Sequence, residues 1–139
     1  MLSEQETQDL RAFAATMIPA SAKHGVPGAD DEKIFADIVK SLDRDLTDVR
    51  AALKRLAGIA DLPADKRLEK ANAFRAEGGP TMIAIARAVL QCYYRDDRVM
   101  RSLGQEPRSP FPKGHVVEQG DWSLLDPVKA RPPFWRKVN

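Results

Sequence analysis

The sequence predicts an all-α protein: a small helical bundle of about five helices over residues 1–103, followed by an extended, proline-rich C-terminal strap over 104–139. Three observations predict it. Apolar residues through the first hundred positions recur at spacings of three and four, the period of a helix with one face on a core. No run alternates with the period of two that a half-buried strand requires. Six of the ten prolines and both tryptophans fall after Gly104, where the helical period stops.

The first helix is expected over about 3–17. Ser3 with Glu6 three residues later makes a capping box, and Leu10, Phe13, Ala14 and Met17 then stand at i, i+3, i+4 and i+7. Pro19 ends it, and Gly25, Pro27 and Gly28 shape the loop that follows. Asp30 and Asp31 suit the positive end of the next helix. Ile34, Ile38, Leu42, Leu46, Val49, Leu53 and Leu56 then carry one long helix or two abutting ones over about 30–60, with Asp45 and Thr47 as candidate caps at a break. Leu62-Pro63-Ala64-Asp65 opens a helix bearing Leu68, Ala71 and Phe74, which Gly78-Gly79 stops and Pro80-Thr81 restarts. Residues 81–94, TMIAIARAVLQCYY, are apolar nearly all round and are expected as the central buried helix. A short turn over Asp97–Leu103, with Asp96 or Asp97 as its cap, closes on Gly104.

Composition narrows the function. Twenty-two basic and twenty acidic side chains, interleaved, give a net charge of +2, which is not the clustered basic footprint of a nucleic-acid binder. One cysteine, Cys92, excludes an internal disulfide and a cysteine-built metal centre. On the most apolar helix it is expected as a small buried hydrophobe. His24 and His115 have no partner at chelating spacing and are expected on the surface. No stretch approaches the roughly 20 apolar residues that cross a bilayer. Met1–Glu6 carries no basic or apolar leader, so the expectation is a cytoplasmic protein, or a periplasmic one if a leader was removed.

The strap holds the sharpest signal. Phe111, Trp122, Leu124, Leu125, Phe134 and Trp135 are strung through a segment poor in regular structure, and each aromatic ring that is buried removes roughly 150–250 Å² from water. One reading folds Trp122 and Trp135 back on the helices. The other lays them on a partner protein, with Arg131-Pro132-Pro133-Phe134-Trp135-Arg136 as anchor, because Trp and Arg dominate interface energies and proline limits the entropy lost on docking. Glu118, Asp121 and Asp126 among the basic groups favour protein over single-stranded nucleic acid as that partner.

Met17-Ile18-Pro19, then Pro27-Gly28-Ala29, and later Tyr93-Tyr94-Arg95-Asp96-Asp97-Arg98-Val99 with Leu103-Gly104, occur in an order that resembles the gluconate 2-dehydrogenase subunit 3 family. These are small subunits of flavin-dependent dehydrogenases whose large subunit is of the glucose–methanol–choline oxidoreductase type. The resemblance implies a non-catalytic subunit in a hetero-oligomer, with FAD and the oxidation of an alcohol or sugar hydroxyl both in the large partner, and no cofactor or metal in this chain. Many members carry a twin-arginine leader, a pattern from which this chain departs. The partner interface is expected at Tyr93, Tyr94, Arg95, Phe111, Trp122, Arg131, Phe134, Trp135 and Arg136. Two other readings stand behind this one: a free-standing helical binding or regulatory module, and a small helical enzyme with Tyr93, Tyr94, Arg95 and Asp97 in one pocket.

Overall fold

The computed structural model describes residues 1–107, 118–133 and 135, and divides the chain into two compact units, Met1–Pro107 and Arg108–Asn139. The division falls four residues beyond the boundary expected after Leu103. The first unit is entirely helical apart from its turns and an isolated antiparallel bridge between Ser21 and Val26.

Helix α1 (Glu4–Met17) opens with both halves of the capping box: Glu6 N–H donates to Ser3 Oγ at 3.1 Å and Ser3 N–H to Glu6 Oε2 at 2.7 Å. Its Leu10, Phe13 and Ala14 are fully buried. Helix α2 (Glu32–Lys40) is capped by Asp31, which accepts from the N–H groups of Lys33 and Ile34. A 3-10 turn at Asp43–Asp45 leads into α3 (Leu46–Leu56), so the long apolar run is two helices with a break where one was expected. Asp45 does not cap α3, however. Its carboxylate is held by Arg87, with Nη2 to Oδ1 at 2.6 Å and Nε to Oδ2 at 3.2 Å, and a two-point charge-assisted pair outweighs a single cap bond.

Helix α4 (Ala64–Glu77) ends at Gly78, and α5 (Pro80–Tyr94) restarts within three residues because Gly78 and Gly79 take φ of 64° and 88°, which side chains resist. Helix α6 (Asp97–Ser102) is capped by Asp96, so the unit has six helices where the sequence suggested about five and a turn.

The core lies where α3 meets α1, α4 and α5, with α2 closing on α5. Phe13 of α1 meets Phe74 of α4 edge to face at 5.8 Å. The expectation that 81–94 is buried all round needs correction. Ala84, Ile85, Ala88, Val89, Cys92 and Tyr93 are buried, but Ile83 is 56% exposed and Leu90 and Tyr94 are exposed too. Packing against α2 and α3 takes part of the circumference and leaves 83, 90 and 94 exposed, with Ala86 half-buried among them.

In the second unit the expected extended strap contains two helical turns: a 3-10 turn at Trp122–Leu125 running directly into α7 (Asp126–Lys129). Local chemistry explains them. Asp121 accepts from Ser123 N–H at 3.0 Å and Ser123 Oγ–H at 2.6 Å, and Pro127 sits in the first turn of α7, where its missing N–H costs nothing. Trp122, Leu124, Leu125, Val128 and Trp135 are exposed.

Candidate interaction site

The loop after α1 is built by short-range necessity. Ile18 N–H bonds to Ala14 O, ending the helix, and Ile18 O then accepts from Ala29 N–H at 2.9 Å, folding residues 19–28 into a closed excursion. Within it Ser21 and Val26 exchange hydrogen bonds across a turn in which Gly25 takes φ 61°. Gly28 is required by proximity: a Cβ there would stand 2.9 Å from Ala20 N and 3.3 Å from Ile18 O.

The C-terminal end of α5 is fastened to this loop and to α2. Tyr93 is buried, 4% exposed, and its hydroxyl donates to Pro27 O at 3.2 Å. Arg98 reaches Asp31 at 2.6 Å and Asp96 at 2.9 Å, so one guanidinium joins the caps of α2 and α6. Its hydrogen bonds hold both carboxyl groups below the usual carboxylate range, and the Arg98 pKa is raised in return. Arg95 makes a two-point pair with Asp37, at 2.6 and 2.7 Å, and also meets Ser41 Oγ. Cys92 is buried beside Arg95, as expected of a small hydrophobe, and burial pushes its thiol up, away from thiolate reactivity.

Three stretches distant in sequence thus meet: residues 17–19, 27–29 and 93–99. Around them lie two apolar clefts that share Ile18, Pro19 and Tyr94. One, of about 470 Å³, is lined by Phe13, Met17, Met82, Ala86, Leu90 and Arg75 besides the shared residues. The other, of about 350 Å³, adds Val26, Val99, Leu103, His24 and the edge of Tyr93. Tyr94 is 52% exposed and forms the divide between them, its ring edge-to-face with Tyr93 at 5.3 Å. A third cleft is bordered chiefly by charged residues, Lys33, Asp37, Arg95, Asp96 and Asp97, with Ile34 and Cys92.

The expected interface residues are distributed unevenly. Tyr94 is available on the apolar clefts. Tyr93 contributes little surface to the cleft it borders, because successive helical residues point about 100° apart and the 93 direction faces the core. Arg95 borders the third cleft and is engaged with Asp37. Trp122, Arg131 and Trp135 are exposed in the second unit, each tryptophan by 65%. Phe111, Phe134 and Arg136, with His115, lie outside the described residues. Tyr93, Tyr94, Arg95 and Asp97 do not share one cavity: the tyrosines border an apolar cleft and the other two the third cleft. His24 is exposed at a cleft edge, as expected. Sequence reasoning missed Arg75, Met82, Leu90 and Leu103 as cleft residues. The available signal on α5 was the 82, 86, 90, 94 spacing within a helix apolar on nearly every side, which marks a stripe without saying that it is left open.

Among the described residues no group of three or more His, Cys, Asp or Glu is arranged to hold a metal ion, and no helix is long and apolar enough to cross a membrane. Compared with known proteins, the chain matches no family model, no curated protein and no solved structure.

Proposed function

We propose that this chain is the non-catalytic small subunit of a flavin-dependent alcohol or sugar oxidoreductase, and that it binds and stabilises a large FAD-carrying catalytic subunit. The observation that carries the reading is the convergence of Ile18-Pro19, Pro27-Gly28-Ala29 and Tyr93–Val99, the stretches that resemble the small-subunit family, which the Tyr93–Pro27 and Ala29–Ile18 hydrogen bonds join beside apolar clefts bordered by the exposed Leu90, Tyr94 and Leu103. Uncovered apolar surface of this kind suits a protein interface. Trp122 and Trp135 add two exposed rings of the type that anchors such contacts. Oxidation of a hydroxyl by hydride transfer to a flavin needs a base and a shaped cavity around the isoalloxazine, and in this reading the large subunit supplies both.

Co-expression of the full chain with a flavoprotein encoded by a reading frame neighbouring its gene tests the proposal. The expected result is one size-exclusion peak containing both chains and flavin absorbance, a colourless small chain when expressed alone, and at least tenfold weaker association for the Trp122→Ala, Trp135→Ala double variant. Separate elution of the two wild-type proteins, or alcohol oxidation by the small chain alone, overturns it.

A further inference from the structure

The helical body carries a groove whose linings differ from the rest of its surface in charge. The protein as a whole interleaves acid and base almost evenly. Along the two joined clefts, the described lining residues are apolar or aromatic apart from Ser21, Ser102, Arg75 and His24, and none is a carboxylate. Arg75 contacts the Asn72 side chain one turn away on α4, a neutral partner that leaves its charge uncompensated at that contact. The arginines elsewhere around α5 are different: Arg87, Arg95 and Arg98 are each closed on a carboxylate of this chain, at 2.6 Å in every case. Among the described residues, then, no carboxylate pairs with Arg75, and its cation stands at an apolar groove.

We infer that the groove along the Met82, Ala86, Leu90 and Tyr94 row of α5 is the docking face for the large subunit, and that it receives an apolar segment carrying an acidic side chain opposite Arg75. This rests on the small-subunit reading above and names the surface through which it works. The occupant follows from charge and shape together. Leu90 and Tyr94 offer apolar contact spaced one turn apart, the pattern that accepts apolar anchors from a partner segment. A carboxylate brought against Arg75 in a closing interface makes a charge-assisted pair that orients the segment and excludes basic competitors. A second copy of this chain is the poorer occupant, because groove against groove would set Arg75 and His24 of one copy on those of the other with no lining carboxylate between them.

The test uses the full-length chain, tagged, in complex with the co-expressed flavoprotein. Leu90→Asp places a negative charge in the apolar stripe at an exposed position, Arg75→Glu reverses the cation and Arg75→Lys keeps it. Circular dichroism melts of each purified chain register folding. The expected result is at least tenfold loss of retained flavin for Leu90→Asp and for Arg75→Glu, near-normal retention for Arg75→Lys, and helix content unchanged throughout. Full retention by both Leu90→Asp and Arg75→Glu, while the wild type holds its partner, overturns the groove and leaves the small-subunit reading standing. Equal loss in Arg75→Lys and Arg75→Glu removes the charge argument and with it the stated occupant. A wild-type homodimer by light scattering that Leu90→Asp dissociates assigns the groove to self-association instead, and failure of the wild type to hold any flavoprotein overturns both proposals together.

Discussion

The hydroxyl of Tyr93 donates to the carbonyl oxygen of Pro27 at 3.2 Å, across 66 residues of chain. This bond joins the end of α5 to the loop after α1, and the apolar clefts open on either side of Tyr94, the next residue. Removing the hydroxyl with Tyr93→Phe should cost about 1 kcal/mol, the net worth of a neutral hydrogen bond. Tyr93→Ala also empties a buried ring site and should cost about 3 kcal/mol. Urea unfolding of the two variants measures both; a Phe variant as stable as wild type would show that water serves Pro27 O equally well.

Asp9 of α1 has a comparable role. It is buried, and its Oδ2 and Oδ1 each accept at 3.0 Å from Gly58 N–H and Ala60 N–H, which ties α1 to the turn between α3 and α4. Asp9→Ala leaves two enclosed donors unpaired and should cost about 3 kcal/mol. Asp9→Asn keeps one acceptor oxygen but turns an NH2 toward a donor, so it should fall between Ala and wild type. The order of the three melting temperatures checks this, and an Asn variant below Ala would contradict it.

Two glycines of the same loop should respond differently to alanine. Gly25 has open space around it and φ of 61°, so Gly25→Ala pays only left-handed strain, about 1 kcal/mol. Gly28→Ala drives a methyl group against the Ala20 and Ile18 backbone, which cannot move without breaking the Ala29 to Ile18 bond. It should cost about 2 kcal/mol or more. Thermal melts of both variants decide it, and equal losses would mean that the loop yields freely.

Arg98 should make stability depend on pH. Asp31 and Asp96 have folded pKa values depressed chiefly by hydrogen bonds from Arg98. A depressed carboxyl contributes stability that is present above its unfolded pKa, about 4, and is lost as pH falls through the folded value. Arg98→Ala should therefore cost about 1–2 kcal/mol at pH 7, most of it through Asp96, whose side chain is 4% exposed; the Asp31 contact is more open to solvent and counts for less. The gap between wild type and variant should narrow as pH falls from about 5 toward 2. Urea titrations across that range measure it, and a constant gap would locate the arginine's contribution in its packing alone.

Much of the local architecture was legible because it is decided within a turn of chain. The Ser3–Glu6 box, the acidic start of α2 at Asp30 and Asp31, a cap at Asp96 or Asp97 and the Gly78-Gly79-Pro80 stop and restart each depend on residues no more than four positions apart. Asp45 shows where that reach ends: its spacing marked a cap, and Arg87, 42 residues away, took the carboxylate. Asp121 shows a different limit, since the turns at 122–129 rest on local bonds that proline content and missing apolar period obscured.

The sequence by itself determined the helical class, the helix order and most helix ends, because backbone geometry and hydrogen-bond caps act over a few residues. Only the tertiary structure decided that Tyr93 turns inward and Tyr94 outward, that Arg95 and Arg98 close on carboxylates of α2 and its cap, and that Ile18 borders two neighbouring clefts, one reaching Leu90 and the other Leu103. On a helix apolar all round, the period cannot choose which stripe is covered. That choice belongs to α2 and α3, which fill one side of α5 and leave the other to water.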